Sequence, residues 1–214
     1  MHLALFGASG RTGLLLTERA LAEGHTVTAL LRHPETYPYA ARVRVVRGDA
    51  FTPAAIAETL VGADAVLSGL GARSLGKEDV LERAVPLIIT AMQQAKVRRI
   101  VVLGSAGALD SGLDKQPAVA RWLVEHVVYE TLLKWPVASQ RAQYAALAGS
   151  GLDWTMVMPP MLTNGPARGR YRVDGEALPR SGASISRADV ADFMMAQLQP
   201  GARQWIGKGV YVSN

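Results

Sequence analysis

Three glycines, each three residues after the last, set between an apolar run and an amphipathic stretch, constrain this chain more than any other feature. Within residues 1–32, MHLALFGASGRTGLLLTERALAEGHTVTALLR, the apolar run at 3–6 stops at Gly7, and Gly7, Gly10 and Gly13 punctuate the passage into a helical pattern. Leu14, Leu15, Leu21 and Ala22 fit one side of that helix, Gly24 is placed to end it, and residues 27–31 supply a second buried strand. Strand, glycine turn, helix and strand in this order make a βαβ unit. Gly7 permits the sharp turn out of the strand, Gly10 lets the backbone approach a pyrophosphate, and Gly13 lets the helix pack closely on the strand. The free N–H groups at the helix start then hold the anion. The spacing is GxxGxxG and not the commoner GxGxxG, so a glycine-rich turn that binds nothing stands as the alternative.

The residue ending the second strand decides which dinucleotide fits. NAD sites place Asp or Glu there to accept from the ribose 2′-OH, whereas this chain has Arg32 followed by His33 and Pro34. A guanidinium attracts a 2′-phosphate that a carboxylate would repel, which predicts NADP(H). Arg11, inside the turn, is expected to reach the same phosphate from the other side. The alternative for Arg32 is a solvated loop arginine.

A chain of 214 residues, 49% of them hydrophobic, has room for one α/β domain with a substantial core and hardly for two. Lys and Arg number 23 against 18 Asp and Glu, a net +5, and the arginines are dispersed with no basic block, so nucleic acid is not expected as a partner. The absence of cysteine excludes a disulfide framework and thiolate chemistry. His2, His25, His33 and His126 show no ligand spacing, so no metal is expected. No signal-like leader or membrane-length apolar run is evident, which predicts a cytoplasmic protein with no membrane partner.

Downstream, Val43, Val45 and Val46 read as a third strand ending at Gly48 and Asp49, where the carboxylate either meets an adenine amino group or only shapes the turn. Thr52 and Pro53 then open a short helix with Ile56 and Leu60 on its buried side. Residues 63–68 form a fourth strand, ending in a second glycine turn at Gly69 and Gly71. Residues 78–96 have a helical period, with Pro86 predicting a kink or a late start. Residues 99–103 are a fifth strand. After it, Ser105 either stands beside a nicotinamide or caps a turn, and 106–117 read as an irregular loop bordering the pocket. Residues 118–149 read as two helical pieces broken at Pro136, with Trp122, Val127, Leu132 and Trp135 as packing residues. Residues 154–158 form a sixth strand, stopped by Pro159 and Pro160. A Gly/Arg-rich loop follows that could fold over a substrate, then a helix opened by Ser186 and Asp189, then a last strand at 210–212.

Taken together, GASGRTG at 7–13, Arg32, GDA at 48–50, Ser105, SGLDW at 150–154, MPP at 158–160 and ISRADVADFM at 185–194 resemble an atypical short-chain dehydrogenase/reductase. Within that group the chain is similar to the small NAD(P)H-binding branch that contains biliverdin reductase B, or flavin reductase, and more distantly to the NmrA-like proteins. The resemblance implies a single Rossmann-type domain over 1–214: a doubly wound, mostly parallel sheet with helices on both faces and a substrate pocket made by the loops after residues 70, 105 and 158. It implies NADPH as hydride donor and a flat conjugated small-molecule acceptor such as a flavin, a quinone or a linear tetrapyrrole. By position it implicates Gly7, Ser9, Gly10, Arg11, Thr12 and Gly13 at the phosphates and Arg32 at the 2′-phosphate. Asp49 and Ala50 fall at the adenine, and Leu70 and Gly71 near the ribose. Ser105, Met158 and Pro159 fall at the nicotinamide, with Ala106, Pro160 and Met161 in the substrate pocket.

Two departures stand out. The Tyr and Lys four residues apart that most short-chain dehydrogenases use are missing: Tyr129 precedes Lys134 by five positions, and Tyr144 is followed at the fourth by Ala148. An acceptor that takes its proton from water does not need that pair. Met161 stands where the similar mammalian enzymes carry histidine. The alternatives are an NmrA-like sensor that binds NADP(H) without turnover and, less favoured, a sugar-nucleotide epimerase or dehydratase. The similar small reductases imply a monomer or a weak homodimer.

Overall fold

The structure is a computed structural model describing residues 1–72 and 74–214. In chain order its elements are β1 (His2–Phe6), α1 (Arg11–Ala22), β2 (Thr26–Leu31), β3 (Arg44–Arg47), α2 (Pro53–Thr59), β4 (Ala65–Ser68), α3 (Val80–Gln94) and β5 (Arg99–Leu103). There follow α4 (Ala118–Leu123), α5 (Lys134–Ala148), β6 (Asp153–Met158), β7 (Met161–Thr163), β8 (Arg172–Asp174), β9 (Ser184–Ser186), α6 (Arg187–Ala196) and β10 (Lys208–Ser213). The main sheet runs β3-β2-β1-β4-β5-β6-β10-β8, with only β8 antiparallel; β7 and β9 form a separate parallel pair. This is the doubly wound α/β arrangement expected from the βαβ opening. Strand order reverses between β1 and β4, so the crevice at their carboxyl ends is where such a sheet binds ligands.

Both faces of the sheet are apolar, as a parallel sheet covered on each side requires. Ala4 and Phe6 of β1 face a core shared with Ile56, Leu81, Ile88 and Met92, while Leu3 and Leu5 face one shared with Leu16, Phe193 and Met194. The alternation along one strand thus feeds two layers. The buried stripe of α1 is Thr12, Gly13, Leu16, Thr17 and Ala20, and not Leu14, Leu15, Leu21 and Ala22. The reason is Gly13: its bare Cα lies against the turn, which points the positions three, four and seven residues on toward the sheet and leaves the other leucines at the flank.

Other differences have local causes. Thr52 does not cap α2 with its side chain, because its hydroxyl donates to Asp49 Oδ1 at 2.9 Å. α3 starts at Val80 and runs through Pro86 without a late start, the proline lying at an exposed position. The break expected at Pro136 falls at Leu133; Pro136 sits in the first turn of α5, where a missing N–H leaves no helix bond unmade. Between α4 and this break, residues Val124–Leu132 form a π-helix. Its wider turn puts residues about four to five apart on one side. Trp122, Val127 and Leu132, spaced by five, therefore line up on the outside, with Trp122 58% and Leu132 62% exposed, and are not packing residues; Trp135 is also exposed. The Gly/Arg-rich loop after β6 is not a free flap: Asp189 Oδ1 accepts from the backbone N–H of Arg168 and Gly169 at 2.8 and 2.9 Å, and its second half becomes β8 at the sheet edge.

Candidate functional site

The two glycine turns meet at the reversal point of the sheet. Gly7 has φ +73°, and a Cβ on it would lie 2.7 Å from the carbonyl carbon of Gly69 and the nitrogen of Leu70. A Cβ on Gly13 would lie 2.1 Å from the Gly7 carbonyl oxygen. Only hydrogen fits at either position, so the turn after β1, the start of α1 and the turn after β4 are packed backbone on backbone. The first turn of α1 is left open, because its N-cap, Gly10, supplies no side-chain bond. α6 is closed in the ordinary way by Ser186, whose Oγ accepts from the Asp189 amide at 3.0 Å. An anion is the group that fits the open helix end.

From this point a narrow cleft of about 300 Å³ leads one way. Gly7, Ser9 and Gly10 of the first turn, Arg32, Asp49 and Ala50 from the ends of β2 and β3, and Leu70 and Gly71 of the second turn line it. Arg32 is exposed and has no carboxylate partner among the described residues. Asp49 lines the cleft, and its Oδ1 shapes the turn by accepting from Phe51 N–H at 2.9 Å. Phe51, which sequence reasoning missed, adds an aromatic wall and carries the Arg83 guanidinium 4.3 Å from its ring centroid.

A wider cleft of about 660 Å³ leads the other way, past Arg11, Thr12, Gln140 and Arg187 to Ser105. At Ser105 it meets an apolar pocket of about 510 Å³ lined by Ala106, Pro160 and Met161 together with Val124, Val128 and Tyr129. Ser105 and Leu133 belong to both. The Ser105 oxygen accepts from the Gly107 amide at 3.5 Å, so it does cap a turn, and its O–H is still free to donate toward the cavity. The ends of β5 and β6 are tied beside it: Gly104 N–H donates to the Val157 carbonyl at 2.7 Å and Ala106 N–H to the Pro159 carbonyl at 2.9 Å. The π-helix serves this wall: it presents Val124 and Val128 to the pocket, and Leu133, just past its end, follows them.

Three expected site residues sit elsewhere. Met158 and Pro159 line none of these cavities. Met158 shares a sheet face with Trp154 and Met156 in the core and is 0% exposed, because strand alternation turns it from the crevice. Gly13 is buried under the turn and acts through packing. Arg11 does not share a cleft with Arg32; it stands in the wider one near Arg187, a residue the motif reading passed over as part of a helix start. Arg187 donates to Asn164 Oδ1 at 2.7 Å and to the Leu162 carbonyl at 3.3 Å. Burial, then the neighbouring Arg11 charge, lowers its pKa from the usual guanidinium value. Burial, aided by Glu125, raises the Tyr129 phenol, which stays protonated and able to donate near neutrality.

The sequence pattern of NAD(P)H-binding proteins matches residues 7–200, spanning both glycine turns, Ser105 and α6. The chain belongs to the NAD(P)H-binding family. This family membership accounts for the bare turn and the open end of α1. A curated relative, YwnB of Bacillus subtilis, is 32% identical over 109 residues, 51% of this chain and 49% of that protein, so the match spans about half the relative's length. Among solved structures, a short-chain dehydrogenase/reductase (wide type) from Veillonella parvula in complex with NADP superposes with a TM-score of 0.83 at 20% identity, covering 100% of this chain and 94% of the other. ChuY, an anaerobillin reductase from Escherichia coli O157:H7, gives 0.83 at 22% identity, covering 100% and 97%. These two likenesses establish the fold.

Proposed function

We propose that the protein is an NADPH-dependent reductase that passes a hydride to a flat conjugated acceptor, such as a flavin, a quinone or a linear tetrapyrrole. The observation that carries this reading is Ser105, shared by the wider cleft, which is continuous with the glycine turn and carries Arg11 and Arg187, and a pocket whose lining is mainly apolar. A bound nicotinamide would supply the hydride. The chain's own contribution is positioning. Gly7, Gly10 and the open end of α1 would hold the phosphates, Arg32 would take the 2′-phosphate, and Asp49, Ala50 and Phe51 would line the adenine's place. Ser105, at the junction, would donate to the nicotinamide carboxamide or to the acceptor. Leu133, Val124, Val128 and Pro160 pack against the acceptor's ring, the protonated Tyr129 donates a hydrogen bond to a carbonyl or ring nitrogen on it, and water supplies the proton that completes reduction.

The missing Tyr–Lys pair fits this reading, because no alkoxide needs a proton. The test is NADPH oxidation by the purified protein with FMN, riboflavin and a small quinone offered in turn. Turnover with at least one, reduced in Ser105→Ala, is expected. Saturable NADPH binding with no turnover on any acceptor would replace this reading with that of a redox sensor.

A further inference from the structure

α1 and α6 pack side by side, and each begins with an arginine: Arg11 and Arg187 are the first residues of their helices and both line the wider cleft. Two guanidiniums near one another repel, and the fold brings them together without a carboxylate between them among the described residues. Arg187 is held by neutral acceptors only, the Asn164 side chain and the Leu162 carbonyl, so its charge is oriented but not neutralised. Gly10 lines both clefts, which puts the adjoining helix start at the middle of the track between them. A dinucleotide lying along that track would cross this point with its pyrophosphate.

We infer that Arg187 is a cofactor-binding residue, closing on the pyrophosphate together with Arg11 of the glycine turn. The inference rests on reading the cleft as a dinucleotide site. It gives each phosphate region its own cation: Arg32 for the 2′-phosphate in the narrow cleft, Arg11 and Arg187 for the pyrophosphate in the wide one. It also ties the cofactor to the β7 segment, since the guanidinium that meets the phosphate is the one that bonds residues 162 and 164.

The experiment is calorimetric titration of wild type, Arg187→Met and Arg187→Lys with NADPH, NADH and adenosine 2′-monophosphate, which carries the 2′-phosphate and no pyrophosphate. Arg187→Met is expected to raise Kd for NADPH and NADH alike, by about ten- to a hundred-fold, the size of a lost charge-assisted bond. It should leave adenosine 2′-monophosphate unchanged, and Arg187→Lys should recover much of the loss. Wild-type Kd values in Arg187→Met, or equal weakening of all three ligands with no rescue by lysine, would overturn the inference while leaving the dinucleotide reading standing. Failure of the wild type to bind either dinucleotide would overturn both.

Discussion

The two ends of the crevice are built on different principles. Around the glycine turns, Gly7, Gly13 and Gly69 hold backbone against backbone, and a single methyl group would collide at Gly7 or Gly13. Around the apolar pocket, the wall is a short helix and a π-helix: Val124, Val128 and the following Leu133 line the cavity, while Val119, Trp122 and Leu132 are exposed. A cofactor shared by many proteins is met by atoms every residue has. On the proposed function, an acceptor particular to one protein would be met by side chains on a connecting segment, where substitution costs the sheet little.

The sharpest way to break this contrast is at the glycine end. Gly13→Ala should cost on the order of 3 kcal/mol or more, because the methyl group meets fixed carbonyls and not a flexible side chain. A thermal melt reads it, and a wild-type midpoint would mean the turn is looser than described. Next in size, Met158→Ala should lose roughly 2–5 kcal/mol through the cavity it leaves, with NADPH affinity unchanged in the folded fraction; a weakened Kd at full folding would return Met158 to the site. Arg32→Ala should raise Kd for NADPH about ten-fold or more and leave NADH alone. On the other side, Trp122→Ser should move stability by no more than about 0.5 kcal/mol. A large loss there would show that the outer face is covered in solution.

The smallest expected effect concerns the Lys115–Asp174 contact of 2.6 Å, which fastens the segment after β5 to β8. Burial opposes the Asp174 charge, but the Lys115 ammonium and the amides of Glu176 and Ala177 outweigh it and hold the carboxyl below its usual pKa. A depressed folded pKa contributes stability above the unfolded value, and that contribution is lost as pH falls below about 4. Being a half-exposed pair screened by solvent, it should shift the melt only slightly. Wild type and Asp174→Asn should differ at neutral pH and converge in acid.

Much of the cofactor end was legible in the sequence, since glycine spacing, Arg32 and the strand pattern are local signals. Arg187 was not, because a residue at a helix start reads as part of the cap, and only the packing of α1 on α6 brings it to Arg11. Trp122, Val127 and Leu132 were misread for a different reason: apolar residues were assigned inward on an ordinary helical period, whereas the π-helix turns that series out. Met158, the last residue of the sixth strand, was implicated by the family resemblance, with its alternation against Val157 left out of account.

The central claim is that the dinucleotide cleft opens at Ser105 onto a separate pocket that receives the acceptor. Ala120→Trp tests it most directly, because Ala120 lines that pocket from an exposed helix position where a large side chain can enter without disturbing the core. The account predicts NADPH affinity within about two-fold of wild type and an acceptor kcat/KM lowered about ten-fold or more. Undiminished turnover with the pocket filled, or loss of NADPH binding instead, would contradict it.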